Sequence, residues 1–259
     1  MRRGSLCLKT FFYRTGHGQK VMGKGMGDCG MTVGEAFGIS DILRDASPSS
    51  RAGIMSFACI KRYEKGQHVF YDSEELSCFY IILEGLASLY KLNTLGEKKV
   101  VFIYGPGKML NDIMFQDLPV SINCEIRESA QVLVLSKERF WHVMERDPGL
   151  TRAAFDAMAL RVRRLYRQMK NTTNAMKGEK RLAAKLYKLA RDYGVTTDNG
   201  VLIQMQLSIT YLSEMLGSQR ETVSRQAKKL GDLGLIYVEK NHFWVPDLEK
   251  LSDYFKQGL

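Results

Sequence analysis

The densest chemistry in this chain lies in eight residues, Ser218-Gln219-Arg220-Glu221-Thr222-Val223-Ser224-Arg225. Arg220 and Arg225 each offer two parallel N–H donors, the pattern that matches O6 and N7 of guanine, and Glu221 can accept from N4 of cytosine. Gln219 and Ser224 can bond either a base edge or a phosphate. Val223, Ala227 and Leu230 recur at helical spacing, so one face of this segment is apolar and the polar five stand on the other. Ser218 three residues before Glu221 also spells a capping box, in which Glu221 would only close the start of its helix. Capping does not account for two arginines on the same face.

Other chemistries are poorly supplied. The five cysteines, Cys7, Cys29, Cys59, Cys78 and Cys124, are scattered, and no CxxC or Cys/His cluster writes a zinc or iron–sulfur site. A cupin-like metal enzyme would need two or three histidines with a carboxylate on adjacent strands. The β-rich region holds His68, with His142 just beyond it, so an enzyme is not expected. For a haem ligand the same two histidines are the candidates, and for a redox switch Cys59, Cys78 or Cys124. Two phosphate-loop lookalikes sit near the N-terminus. Gly18–Lys24 has Walker spacing but Gly25 where Ser or Thr must hold magnesium, and Gly25–Gly30 spells GxGxxG without a preceding strand.

The elements around these residues read in order. Residues 1–30 are Gly-rich and basic without hydrophobic periodicity, and read as a disordered arm. Short β-rich runs follow at Phe79–Glu84, Ala87–Leu92, Lys99–Tyr104, Glu125–Arg127 and Gln131–Leu135, with Gly at the corners, predicting an antiparallel sandwich or barrel. Pro148 then opens a long helix in which Phe155, Met158, Val162, Leu165, Met169, Thr172 and Met176 alternate by three and four. Flanked by Arg161, Arg163, Arg164 and Arg167, this heptad seam predicts a parallel helix pair. Asn171–Gly178 reads as a hinge. Helices over Glu179–Tyr193, Leu207–Leu216 and Gln219–Leu233, then a hairpin of Leu235–Glu239 and His242–Val245, make a winged helix-turn-helix.

The segment Ser218–Arg225, and the order of β-roll, long helix and winged helix-turn-helix, resemble the Crp/Fnr family of bacterial transcription regulators over roughly residues 41–255. The resemblance implies an α+β chain in four parts. These are a flexible arm (1–40), a cyclic-nucleotide-binding-like antiparallel β-roll that senses an effector (41–147), a dimerisation helix (148–177) and a DNA-binding domain (178–259). It implies a homodimer on double-stranded DNA with TGTGA-like or TTGA-like inverted half-sites, and contact with RNA polymerase if it activates. By carry-over, Arg220, Glu221 and Arg225 are the base readers, Ser224 sits where the Fnr-like branch places a serine, and Ser218 and Gln219 flank them.

The sensor half departs from the cyclic-AMP-binding branch. Asn111-Asp112-Ile113 replaces its Gly-Glu-Leu turn, Val120-Ser121 replaces its phosphate-gripping Arg-Ser pair, and Leu165 and Tyr166 stand at its adenine contacts. Without the arginine a cyclic phosphate loses its bidentate partner. The expectation is an unidentified small molecule near Tyr90, Asp112, Ser121, Leu165 and Tyr166, with Met109 and Met114 lining; a constitutive or redox-responsive regulator is the alternative. No cofactor is named by the sequence.

At 259 residues the chain has room for two domains, and its net charge of +10 suits a polyanionic partner. The positive surplus concentrates in residues 1–30 and 150–177. No apolar run approaches the roughly 20 residues of a membrane span, and Ser5–Tyr13 is broken by Lys9 and Thr10 where a signal sequence would be apolar. The expectation is a cytoplasmic protein with no membrane partner.

Overall fold

The computed structural model describes residues 31–111, 117–170 and 178–256. The arm at 1–30, Asp112 and Met114, and the hinge at 171–177 with Thr172 and Met176 lie outside the described residues.

Order begins before residue 41. Thr32 Oγ1 accepts from Glu35 N, and the Glu35 carboxylate accepts from Thr32 N at 2.6 Å, a capping box that starts α1 (Val33–Ile39). Ala36 and Phe37 are buried in the core of the N-terminal unit. The expected arm of 1–40 is therefore corrected at its end: residues 33–39 form a core helix. Ser47 then caps α2 (Pro48–Met55), whose first residue is a proline.

Five antiparallel strands follow: β1 (Cys59–Tyr63), β2 (His68–Phe70), β3 (Cys78–Leu92), β4 (Lys98–Tyr104) and β5 (Asn123–Ser136), in the order β1-β5-β3-β4, with β2 also on β5. The runs expected as separate strands at Phe79–Glu84 and Ala87–Leu92 are one strand, and so are Glu125–Arg127 and Gln131–Leu135. Gly85 supplies an irregularity within a ladder rather than a corner between strands. The register shifts on both sides of it, its φ is +82°, and a Cβ there would lie 2.3 Å from the Ser129 carbonyl oxygen. These kinks let two long strands curl round a shared core that includes Leu89, Phe102, Cys124, Ile126 and Leu133.

Ser136 caps α3 (Lys137–Met144), whose Phe140 meets Phe79 edge-on at 5.5 Å. Asp147 accepts from Leu150 N at 3.1 Å at the start of α4 (Pro148–Lys170), and from Ser47 N at 2.9 Å. Hydrogen bonds from Ser50, Ser47 and Leu150 hold its carboxyl far below the usual carboxylate range, against the opposing effect of burial. One carboxylate thus ties the start of α2 to the start of α4. Leu150 and Ala154 anchor the first turns of α4 in the roll core.

The C-terminal unit comprises α5 (Gly178–Tyr193), β6 (Gly194–Thr197), β7 (Gly200–Ile203), α6 (Ile209–Leu216), α7 (Arg220–Asp232), β8 (Tyr237–Glu239), β9 (His242–Val245) and α8 (Leu248–Lys256). Its sheet runs β6-β7-β9-β8. The β6–β7 hairpin and α8 were not expected. Asp198-Asn199-Gly200 between two β-branched runs was the available signal for the hairpin. Its core draws in Leu86, Tyr90 and Val100 from the outer face of the roll, so the two units pack together.

Candidate nucleic-acid interface

The helix-turn-helix is built on two caps. Ser208 Oγ accepts from Tyr211 N at 3.0 Å to start α6, and Gly217 ends it in the left-handed region at φ 60°. The carbonyls left at that end are met by cations. Arg181 Nη2 donates to Leu216 O at 2.7 Å and Lys99 Nζ to Met215 O at 3.3 Å, favourable also for the helix dipole. The turn is held before α7 begins.

Helix α7 buries Val223, Ala227 and Leu230 and leaves Gln219, Arg220, Glu221, Ser224 and Arg225 exposed. All five lie on its solvent side or at its start, and Ser218 sits half-buried in the turn. The capping box does not form: the N-cap is Gln219, and no side chain caps the helix. Glu221 is thereby left to the outer face. Among the described residues, Arg220, Glu221 and Arg225 form no ion pair, so their hydrogen-bonding atoms are available to an incoming surface. Lys228 continues the stripe one turn on and was missed in the sequence reading. Its neighbour Lys229 is engaged by Glu179 at 2.9 Å. The hairpin of β8 and β9 turns through Lys240 (φ 48°) and Asn241 (φ 63°), both exposed, and Leu207 N donates to Asn241 O at 2.8 Å. An exposed cation therefore stands at the wing tip, and the exposed face of α7 is the part of such a module that enters the major groove.

Helix α4 carries two faces. Ala157 packs on the roll core. Arg161 reaches into the roll, donating through Nε to the Tyr104 hydroxyl at 2.8 Å and through Nη2 to Met109 O at 3.2 Å, with its guanidinium 5.5 Å from the Phe102 ring centre. Gln168 Nε2 donates to Val101 O at 2.9 Å. The adjoining stripe faces outward: Phe155 is 63% exposed and Met169 66%, Val162 and Leu165 are also exposed, and Met158 is half-buried. A contiguous apolar face of this kind marks an interaction surface.

The structure does not bring the expected effector residues together. Tyr90 lies on the opposite face of β3 from the inward Leu89, because neighbouring strand residues alternate. It packs in the C-terminal core, bonded to His68 Nε2 at 2.8 Å with Lys98 4.1 Å over its ring. Ser121 is exposed beside buried Val120, and Leu165 and Tyr166 are exposed on α4 and belong to neither core. The α4 side chains that hydrogen-bond to the roll, among the described residues, are Arg161 and Gln168. Cys78 and Cys124 are buried and Cys59 is exposed. Although the residue is exposed, partial desolvation of its sulfur, with Cys78 adding and Lys61 opposing, raises the Cys59 thiol, which lowers its thiolate fraction. Among the described residues no group of His, Cys, Asp and Glu could hold a metal ion, and no helix is long and apolar enough to cross a membrane.

Comparison with known proteins follows the same division. Residues 60–147 match the cyclic nucleotide-binding domain and residues 180–254 the Crp-like helix-turn-helix domain. An anaerobic regulatory protein of Bacillus subtilis is 23% identical over 72% of this chain and 79% of its own. A CRP-like cAMP-activated global transcriptional regulator of Mycobacterium tuberculosis is 20% identical over 82% of this chain and 94% of its own. The crystal structure of a CRP/FNR-family transcriptional regulator from Thermus thermophilus superposes with a TM-score of 0.66 at 18% identity, covering 78% of this chain and all of that one, which supports the fold. The two domains occur here in one order, on one chain, in company with regulators and not with enzymes. The protein belongs to the Crp/Fnr family of DNA-binding transcription regulators.

Proposed function

We propose that this protein is a dimeric, sequence-specific regulator that reads inverted half-sites in double-stranded DNA through α7, under the control of a small-molecule effector acting on the β-roll. The observation that carries the DNA-reading part is the outward stripe of α7: Arg220, Glu221, Ser224 and Arg225 are exposed while Val223, Ala227 and Leu230 fix the helix from behind. Arg220 and Arg225 each address a guanine and Glu221 a cytosine, with Gln219, Ser218 and Lys228 on phosphates or neighbouring edges. The exposed seam of Phe155, Met158, Val162, Leu165 and Met169 supports pairing of two α4 helices, which presents two recognition helices to the duplex.

Effector control is supported by the match of the roll to cyclic nucleotide-binding domains and by Arg161. Its guanidinium pins α4 to Tyr104 and Met109 at the roll. A ligand that competes for those contacts moves the helix to which the DNA-binding unit is joined, and it need prefer one arrangement by only a few kcal/mol to shift the population. Cyclic AMP does not fit the departures at Val120-Ser121 and Leu165-Tyr166. A cytoplasmic location follows from a DNA target, as does contact with RNA polymerase where the bound protein activates.

The test is competition between a duplex selected by the protein and bulk genomic DNA. The Arg220→Ala/Arg225→Ala double variant is expected to lose the preference and keep weak, salt-sensitive binding. Retained preference would contradict the assignment of these arginines as base readers.

A further inference from the structure

A cleft of ≈ 380 Å³ lies where three elements meet: β4, α4 and α5. That size is within the range of small-molecule sites. β4 is the edge strand of the roll, and its outward carbonyls fix the walls. Val101 O accepts from Gln168 of α4, and Ile103 O accepts from the Tyr193 hydroxyl of α5 at 2.9 Å. Val101, Ile103, Pro106, Leu189 and Tyr193 supply an apolar and aromatic surface.

The polar lining is mostly cationic: Lys108, Arg164, Lys185 and Lys188 against Asp192. Lys108 is paired with Asp41, and Asp192 is paired with Arg191 at 3.2 Å. Arg164, Lys185 and Lys188 form no hydrogen bond or salt bridge among the described residues. Lys185 projects from α5 between buried Leu182, Leu186 and Leu189, and burial, reinforced by Lys188 and Lys99, pushes its ammonium down to about 8. Burial also lowers Lys188, with Asp192 opposing and Arg164 adding to the effect, and burial and Arg181 lower Lys99. Three cations with no bonded anion thus share a cleft with one carboxylate, Asp192, which is itself paired with Arg191, and the missing complement is negative charge.

We propose that this cleft is a binding site for a phosphate-bearing organic anion of nucleotide size, held by Arg164, Lys185 and Lys188 with its organic part against Val101, Ile103 and Tyr193. Arg161 does not line the cleft, although its partner Tyr104 does. A duplex is excluded as the intended occupant by shape, since the cations line a concavity between packed units and not the outer face of α7. Bound there, the anion bridges α4 to α5, and so stabilises the docked arrangement of the DNA-binding unit on the roll.

Calorimetric titration and thermal unfolding of the full chain, with ADP, inorganic pyrophosphate and adenosine as probes, test this. ADP and pyrophosphate should bind and raise the melting temperature, ADP more tightly, and adenosine should do neither. Lys185→Met keeps the apolar stem and removes the charge. It should weaken ADP at least about tenfold, the loss of one charge-assisted contact, without lowering the ligand-free melting temperature. Lys188→Met, at an exposed position, should also weaken ADP, and Lys250→Met, which does not line the cleft, should change nothing. Affinity should fall as pH rises through about 8, where Lys185 loses its proton; burial sets that value, with Lys188 and Lys99 adding, and Arg164 and Asp192 line the same cleft. No binding of either anion at about 10 mM, beyond the weak end of specific affinity, would overturn the proposal. So would unchanged ADP affinity in Lys185→Met, or an equal loss in Lys250→Met. Pyrophosphate binding without ADP would overturn the organic-ligand assignment. Loss of DNA affinity in Lys185→Met with no ADP binding in the wild type would turn the cleft into a duplex contact.

Discussion

An arginine that reads a base and a lysine that grips a phosphate carry similar charge but leave different signatures when removed. Arg220 stands at the first turn of α7, where a recognition helix approaches base edges, and its fork matches guanine. Arg220→Ala should cost about 1–3 kcal/mol at the selected operator and relax preference at one base position, measured by titration against single-position operator variants. Equal loss on every sequence would make Arg220 a phosphate contact. Lys228, one turn beyond Ser224 on the same exposed stripe, should behave in the opposite way. Lys228→Ala should weaken all sequences alike and reduce the slope of log affinity against log salt by about 1, readable from a salt titration. Gln219, Arg220, Glu221, Ser224 and Arg225 were legible in the sequence because helical spacing alone puts them opposite Val223, Ala227 and Leu230. Lys228 was equally legible by spacing, but the sequence did not say that Lys229 would be drawn off to Glu179 while Lys228 was left outward.

The elements show where a one-dimensional pattern runs out. The seam on α4 was visible because a 3-4 repeat is a local property. Arg161 read only as a charge flanking that seam, since nothing in its neighbourhood in sequence says that Tyr104 and Met109 will receive it. The corners expected in β3 and β5 failed for a related reason. Gly85 has the positive φ of a turn glycine, yet its partner across the ladder, near Ser129, is distant in sequence and turns the kink into an irregularity within a continuous strand. The side of β3 on which Tyr90 packs is likewise set by the curl of the strand, which brings that face against the C-terminal unit.

Two tests belong to this scale. Asp147 caps α4 and is hydrogen-bonded to Ser47 and Ser50, so Asp147→Ala should destabilise the protein by about 1–2 kcal/mol at neutral pH, measured by urea unfolding. Its folded pKa is depressed, so this contribution is fully present above the ordinary Asp value of about 4 and is lost as pH falls below it. The difference between wild type and variant should therefore shrink in acid. A difference that grew in acid would contradict the role. On the exposed seam, Val162→Asp/Leu165→Asp should convert dimers to monomers in sedimentation and abolish tight operator binding, since one module alone makes half the contacts. An intact dimer would place the pairing surface elsewhere.

For the molecule as a whole, the packing of the C-terminal unit on the roll sets how the helix-turn-helix is held. The Tyr211 hydroxyl and Ser88 Oγ lie 3.0 Å apart, Arg127 stacks 4.0 Å over the Tyr211 ring, and Lys99 reaches the end of α6, so the helix-turn-helix is fastened to the roll at several points. Burial pushes the Tyr211 phenol up to about 12, which keeps it a neutral hydrogen-bonding group across the physiological range. None of these contacts was readable from the sequence, because each joins residues far apart along the chain through a surface that only the folded units define. The central claim, a dimer reading two inverted half-sites, is tested most directly by selecting duplexes from a random pool with the full-length protein and sequencing what it retains. The account predicts an inverted repeat with half-site centres about one helical turn, roughly 34 Å, apart or a multiple of it, with guanine and cytosine fixed at the positions that Arg220, Arg225 and Glu221 address. Retention of a single unrepeated site, or of no preferred sequence at all, would contradict it.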